Sequence, residues 1–545
     1  METSDQIVPL LESSVTSHKV TGASIAILDG EHPVSVQHVG YADKKNKILV
    51  GENTLFRIGS ITKVFTASAV MQLVEREKIN IDEPLQHYLP EFRIKSRFSP
   101  EKPVTVRDIL CHHSGLPCDH LKNYFTNDPE AFHSALPYLA TSYLVHPPGE
   151  QFYYSNLGYE LLGILIARIS GIPYHRYVET RILEPLGMSH SRIILENNLR
   201  ENLSKPYRKG KEESELMMRG IPEGGIHATA TDMGCFMREI LNGGTNLFQS
   251  AETLRSMFEV QYPDNPRDMD FTGGLGWFVG YPGLNYAGKV IWHDGGTPHF
   301  FSLLLMIPER KLGITLLTNS TTGAAMNHRV SVDILKRILQ ENFDIKPTEL
   351  QVHSSLLSNQ APADHIAGKY FTLSGIAALS VKKNKVIARL SSGRFRLHPS
   401  EDGWFRLSLL LFGIIPLRLR QLAQLRLGVV DIADKKVLAI KQLGFRSPQG
   451  SEWHPLEVMK DWKARIGKYL CAEEPNPRVS TFTLTQDKNG LFLTIPADKT
   501  GKLQIYLDLI NTSEALTLGY GRYAGETIFA DHEDIMLFGL RYQKQ

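Results

Sequence analysis

Cysteine is scarce in this chain. Four of its 545 residues are Cys, at positions 111, 118, 235 and 471, too few and too scattered for a disulfide framework, which fits a reducing compartment. An excess of charge of one sign is missing as well. Sixty Lys and Arg stand against 58 Asp and Glu, and no block rich in Lys and Arg stands out, so nucleic acid and other polyanions are disfavoured as partners. Long apolar runs are lacking too. The longest outside the helical patterns, Leu407 to Leu417, contains Gly413 and Pro416 and falls short of the about 20 residues that span a bilayer. It reads as buried strand of a small barrel, with a membrane-touching or substrate-capping hairpin as the other reading. The start, Met1 to Ile7, has no cationic segment followed by an apolar stretch; a cytoplasmic location is expected, and a removed leader with a periplasmic or extracellular location is the alternative. Gly-x-Ser-x-Gly, Rossmann and P-loop signatures are absent, which excludes an α/β-hydrolase elbow and a nucleotide site. No cofactor is expected.

What is present is an ordinary globular composition of a length that predicts about three or four domains, one of which could be large. From the start to about residue 345 the pattern is α+β. A hairpin is expected at Ala23 to Leu28, Asp29-Gly30 and Val34 to Val39, and a second at Phe300 to Ile307 and Leu312 to Leu317, the two pairing in one antiparallel sheet. Helical periodicity marks an amphipathic Ile61 to Glu75, Leu157 to Ile169 closed by Gly171, Asp232 to Leu241 entered through Thr229, and Val330 to Asn342. Residues 346–364 lack a sustained period and read as a linker. Beyond them the chain is a succession of short strands and turns. An echo divides it: Ile366-Ala-Gly-Lys-Tyr-Phe371 recurs as Arg465-Ile-Gly-Lys-Tyr-Leu470, which predicts two small barrels in tandem, residues 365–460 and 461–545, against one larger barrel with a chance match.

Ser-x-x-Lys occurs three times, and its context decides among the copies. Ser99 precedes Pro100 in a polar loop and Ser380 leads into a Lys-rich turn, whereas Ser60 opens a helix on which Lys63 shares its face. The Ser60 N–H is then one of the unpaired donors at a helix start, suited to an oxyanion. A plain helix-capping Ser is the competing reading. Serine needs a base at neutral pH, and neither Lys nor Tyr serves at its ordinary pKa near 10. Tyr154-Ser155-Asn156 is the single Tyr-x-Asn in the chain; a Tyr coupled to a Lys in a dry site could accept and return a proton. For a third element two segments compete, Lys499-Thr500-Gly501 in the β-rich tail and His293-Asp294-Gly295-Gly296, which leads straight into the Phe300 strand. The second is preferred. Cys111-His112-His113 with Cys118 and His120 has zinc-ligand types at a spacing unlike the usual fingers, and no metal is expected.

Ser60-Ile-Thr-Lys63, Tyr154-Ser-Asn156 and His293-Asp-Gly295, in this order, resemble the serine β-lactamase and penicillin-binding family, in its class C and D-aminopeptidase/esterase branch, over roughly residues 5–340. Ile81-Asp-Glu-Pro84, Ser114-Gly-Leu-Pro117, Ile182 to Met188 and Gly274-Leu-Gly-Trp277 are similar to that family too. The resemblance implies a multidomain α+β protein: a β-lactamase/transpeptidase-like catalytic domain over residues 1–345, an antiparallel sheet flanked by helices, followed by two lipocalin-like β-barrels. It implies a serine hydrolase acting through an acyl-enzyme on amides or esters of small molecules or peptides. Ser60 would attack, Lys63 and Tyr154 would exchange its proton, and Asn156 would orient the acyl side chain. Ser60, Gly295 and Gly296 would frame the oxyanion site, and His293 would stand in for the usual cationic Lys and help set the Tyr154 pKa. His299, where relatives carry Gly, would bring another imidazole to the mouth, and the tail turn Asp498 to Lys502 could reach toward it. A homo-oligomer is compatible with this architecture. The rival is a non-catalytic scaffold or recognition protein that keeps the fold without turnover.

Overall fold

The computed structural model describes residues 2–545 apart from 127, 129–130, 196, 215–216, 348–364, 383–384, 401, 412–414, 418, 420–421, 423–424, 434, 443–444, 474–479 and 498–500. Most of the expected linker, and Lys499 with Thr500, therefore lie outside the described residues.

Strands in the N-terminal part read as nearly continuous apolar runs because both faces of their sheet are covered. Gly22–Asp29 is buried up to its last residue, and Leu312–Thr318 throughout. These two pair antiparallel at the centre, Ala26 opposite Thr315. The two expected hairpins thus join in one seven-stranded sheet, continued on one side by Ser35–Asp43 and Ile48–Leu49 and on the other by Phe301–Ile307, Ile291–Gly296 and Phe278–Val279. Alternation along each strand splits the core. Ala23, Ile25 and Ile27 pack with Leu11 and Leu335 of the first and last helices of this part, Glu2–His18 and Gly323–Phe343. Ala26 and Leu28 join a larger cluster with Phe65, Leu161 and Phe236 from the helices Thr62–Glu75, Asn156–Ser170 and Ala230–Leu241.

The Thr62–Glu75 helix differs from the expectation. It is buried on every side from Thr62 to Leu73, so it is a central helix and not an amphipathic one; its small residues, Ala67, Ser68 and Ala69, let neighbours close on all faces. Asn156–Ser170 ends as expected at Gly171, with φ +71°, the left-handed cap that glycine favours.

The tail forms two closed antiparallel barrels of eight strands. In the first, strands run from Gly368–Thr372 to Phe445–Glu452, and those two pair to close the ring, Phe371 opposite Ser451. In the second they run from Gly467–Cys471 to Leu540–Lys544, closed by Tyr469 opposite Lys544. The echoed hexamers open the first strand of each, and Tyr370 and Tyr469 are both fully buried. The run Leu407 to Leu417 departs from the buried-strand reading. Phe405 and Leu407 face the barrel core, but Ile415–Leu417 pairs only with the end of Phe405–Leu411 as an added hairpin, and Leu411, Ile415 and Leu417 are exposed. Among the described residues no helix is long and apolar enough to cross a membrane.

Candidate active site

Ser60 sits on a single 3-10 turn, Gly59–Ile61, that runs into the Thr62–Glu75 helix. The turn is pressed against the end of the strand Ile291–Gly296. Gly59 has φ +54°, and a Cβ on it would lie 2.8 Å from the Gly296 nitrogen; a Cβ on Gly295 would lie 1.9 Å from the Ile58 oxygen. Only glycine at both positions lets the two backbones meet. Ser302 Oγ donates to the Ile58 oxygen at 2.6 Å and fastens the contact.

One turn into the helix, Lys63 is fully buried and its Nζ donates to Ser60 Oγ at 3.2 Å and to the Glu223 backbone oxygen at 2.9 Å. Burial lowers its pKa to about 8, against the opposing field of Glu223. Tyr154 lines the same cavity wall as Ser60, and Lys63 Nζ stands 4.9 Å from the centre of its ring. Burial pushes the Tyr154 phenol well above its ordinary range, past the lowering by Ser60 and Arg522. The structure therefore separates the two groups that the sequence reading treated as one coupled pair: the amine titrates near neutrality and the phenol stays protonated. The charges that act on Tyr154 are Arg522, Asp294 and Glu223 rather than His293.

Asn156 begins its helix, and the cap is its neighbour Ser155, whose Oγ accepts from the Gly158 N–H at 3.0 Å and donates to the Pro117 oxygen at 2.7 Å. Asn156 Nδ2 donates to Asp119 Oδ1 at 2.7 Å, which leaves its buried Oδ1 without a partner among the described residues.

His293 and Gly295 face the opposite way from Trp292, Asp294 and Gly296, as strand geometry requires. The second set lines a cavity of about 570 Å³ together with Ser60 and Tyr154. His293 instead lies buried beside Phe278, ring centres 4.9 Å apart, and burial lowers its pKa to about 4, so it is neutral at pH 7. His299 does not reach the mouth: it is buried, outside the cavity wall, and its Nε2 has no partner among the described residues.

Several residues of the site escaped the sequence reading. His112 lies against Tyr154 with ring centres 4.3 Å apart. Asp294, read only as a spacer between His293 and Gly295, stands on the cavity wall. The barrels complete that wall, the first with residues 447–449 and the second with Tyr520, Gly521 and Arg522. Arg522 comes from the segment between Glu514–Thr517 and Thr527–Asp531, not from the turn at 498–502. Its Nη2 donates to Asp119 Oδ2 at 2.6 Å, and its guanidinium stands 5.6 Å from the Tyr154 ring centre. Asp119 so joins Arg522 to Asn156. From the same segment Glu526 Oε1 accepts from the Cys118 N–H at 2.7 Å and from the Tyr153 hydroxyl at 2.8 Å. The Cys and His of the 111–120 region disperse: His113 pairs with Asp268, Cys118 accepts from Arg522, and His120 stacks on Tyr138.

The fold has counterparts elsewhere. The chain is 25% identical over 328 residues to the protein flp of Staphylococcus aureus strain MRSA252, an alignment covering 58% of this chain and 63% of that protein; the chain thus spans under two thirds of the length of such curated relatives. The octameric penicillin-binding protein homologue from Pyrococcus abyssi matches with a TM-score of 0.56 at 23% identity, over 82% of this chain and all of that one. SurE, solved with D-Leu, matches with a TM-score of 0.58 at 23% identity, over 82% of this chain and 99% of its own. A family model described as Beta-lactamase matches residues 7–335. That stretch is more than half the chain and holds Ser60, Lys63, Tyr154 and His293, and on it the chain belongs to the beta-lactamase family.

Proposed function

We propose that this protein is a serine hydrolase that cleaves esters or amides through an acyl-enzyme on Ser60. The observation that carries the reading is the buried Lys63 amine, 3.2 Å from Ser60 Oγ, with a pKa of about 8. At pH 7 roughly one molecule in ten then holds Lys63 as a free amine, a base matched to its task. That amine takes the Ser60 proton as Oγ attacks the carbonyl carbon. The resulting oxyanion is held by the N–H groups of Ser60 and Gly296, and Gly295 permits the strand to come this close. Tyr154, a neutral phenol on the same cavity wall as Ser60, donates a proton to the leaving nitrogen or oxygen and recovers it from the Lys63 ammonium. Water then attacks the ester carbonyl along the reverse path, and Ser60 regains its proton.

Among substrates, short esters and D-configured or N-terminal amino-acid amides rank above β-lactams. A neutral His293 supplies no cation for the carboxylate of a penicillin, and the barrel segments 447–449 and 520–522 bound the space over Ser60. The likeness to a protein solved with D-Leu supports the same ranking. A homo-oligomer is part of the proposal, by likeness to the octameric homologue. Treatment with a fluorophosphonate followed by peptide mapping tests the chemistry. An adduct on Ser60, lost in Ser60→Ala, is expected; an adduct elsewhere, or full esterase activity in Ser60→Ala, would overturn it.

A further inference from the structure

Among the described residues four charged side chains line the Ser60 cavity, Arg267, Asp268, Asp294 and Arg522, and their partners differ by sign. Arg267 pairs with Glu150 and Arg522 with Asp119, so each guanidinium arrives with a carboxylate of its own. The two carboxylates have no Arg or Lys partner among the described residues. Asp268 is buried, accepting from His113 Nε2 at 2.7 Å and from the Phe152 N–H at 2.6 Å. Asp294 is recessed yet half accessible, and its neighbour is His328, whose Nε2 stands 3.8 Å away. The Tyr281 hydroxyl is 2.5 Å from His328 Nδ1; donating there, it leaves Nε2 as the protonated nitrogen that faces Asp294. Burial disfavours charge on Asp294, but the facing His328 imidazole and the field of His293 outweigh it and hold the carboxyl below its ordinary range. The cavity wall is therefore of mixed charge: Arg267 and Arg522 are each about a third exposed and bound to carboxylates, and Asp294 is the accessible carboxylate, half exposed.

That charge is also placed with respect to the chemistry. Asp294 and Gly296 point the same way from one strand, and residues two apart on a strand lie about 7 Å from each other. Resting on the reading of Ser60 as nucleophile and Gly296 as oxyanion donor, we infer that Asp294 is a specificity-determining residue that selects acyl groups bearing a protonated amine two or three bonds from the scissile carbonyl. Free α- or β-amino acyl amides and esters are the class it takes, and their N-acylated or carboxylated counterparts are the class it turns away. At 4 Å a carboxylate and an ammonium partly shielded from water favour the charged ligand on the order of tenfold.

Binding to Ser60→Ala protein tests this without turnover. Calorimetric titration with D-alaninamide and with N-acetyl-D-alaninamide should show the free amine bound about tenfold more tightly. In Ser60→Ala/Asp294→Asn that preference should vanish, and in Ser60→Ala/Asp294→Glu most of it should return, which a merely misfolded site would not allow. In the unmodified protein the kcat/KM ratio for D-alanine p-nitroanilide over its N-acetyl analogue should fall by the same order on Asp294→Asn, chiefly through KM. Equal affinity for the two amides in Ser60→Ala, or a preference that survives Asp294→Asn, overturns the inference. The hydrolase reading fails separately, by absence of a Ser60 adduct, and the calorimetric result stands either way.

Discussion

The two barrels share a topology and an opening sequence but not a job. Each starts on Gly-Lys-Tyr and closes eight strands on itself. The first lays residues 447–449 of its last strand on the cavity wall, and beside them Arg446 forks onto both oxygens of Asp270, a carboxylate about a quarter exposed. The second drives a segment inward, so that Arg522 meets Asp119 where that carboxylate is 1% exposed, and Glu526 is buried against Cys118 and Tyr153. Repeated sequence thus specifies a repeated scaffold, and the difference in use is that the first barrel meets the N-terminal part with a strand and the second with a connection between strands.

The sharpest break of this comparison is a matched pair of substitutions. Arg522→Ala takes the guanidinium away from the buried Asp119, and the loss of one partner from such a pair costs about 3–5 kcal/mol. We expect a lowered melting temperature, faster proteolysis between the barrels and the site, and a drop in ester kcat/KM of at least on the order of a hundredfold. Arg446→Ala leaves Asp270 with water at hand and should cost about 1 kcal/mol or less. Equal effects of the two on thermal unfolding would remove the distinction.

Acidity separates the barrels next. Burial raises Glu526 to about 7, against the lowering by the Cys118 N–H and Tyr153. A carboxyl whose folded pKa lies above its unfolded value binds its proton more tightly when docked, so the docked state is favoured most below about pH 4.5 and loses that advantage as pH rises through 7. The gap between 4.5 and 7 corresponds to about 3 kcal/mol. Hydrogen exchange of residues 518–526 should therefore quicken between pH 5 and 8, and Glu526→Gln should flatten that dependence. Residues 445–452 of the first barrel provide the comparison within the same experiment, and an equal quickening there would show that docking of the second barrel is not what titrates.

The same asymmetry reaches the chemistry. Since the free amine of Lys63 is the active form, kcat/KM should rise about tenfold per pH unit and level near pH 8. Arg522 lowers the Lys63 pKa and Glu223 raises it. The limb should shift to higher pH in whatever activity Arg522→Ala retains, to lower pH in Glu223→Gln, and stay in place in Arg446→Ala. A limb that ignores all three would mean that Lys63 is not the group observed.

How much of this could be read in the sequence depends on the range of each interaction. Ser60 and Lys63 are one helical turn apart, hairpins carry their Asp-Gly turn, and the barrels advertise themselves by an echo; all are local signals. The helix Glu2–His18 gave none, since its Ser, Thr and internal Pro9 mask the period. The Arg522 to Asp119 contact joins residues with no shared pattern and had no signal to find. Asp294 was within reach: on a strand, if His293 faces the interior, its neighbour must face the cavity. What sequence alone left open was which of the two faces holds the substrate.

The smallest difference between the barrels lies in the echo itself. In both, the Tyr hydroxyl turns back to the carbonyl four residues earlier, Tyr469 to Arg465 at 2.6 Å and Tyr370 to Ile366 at 3.5 Å. The first distance is that of a full O–H···O hydrogen bond and the second is at the limit of one. Removing a buried hydroxyl that is well bonded costs about 1 kcal/mol, because the carbonyl it served is left behind, whereas removing one that is barely bonded costs little. Tyr469→Phe should therefore lower the unfolding free energy of the second barrel by that amount, and Tyr370→Phe should leave the first within about 0.3 kcal/mol. Tryptophan emission can follow each in variants whose other tryptophans are replaced by Phe, through Trp462 packed in the second barrel or Trp404 in the first. If the two substitutions cost the same, the echoed tyrosines act only as ring-shaped plugs of the two cores, and their hydroxyls do not tell the barrels apart.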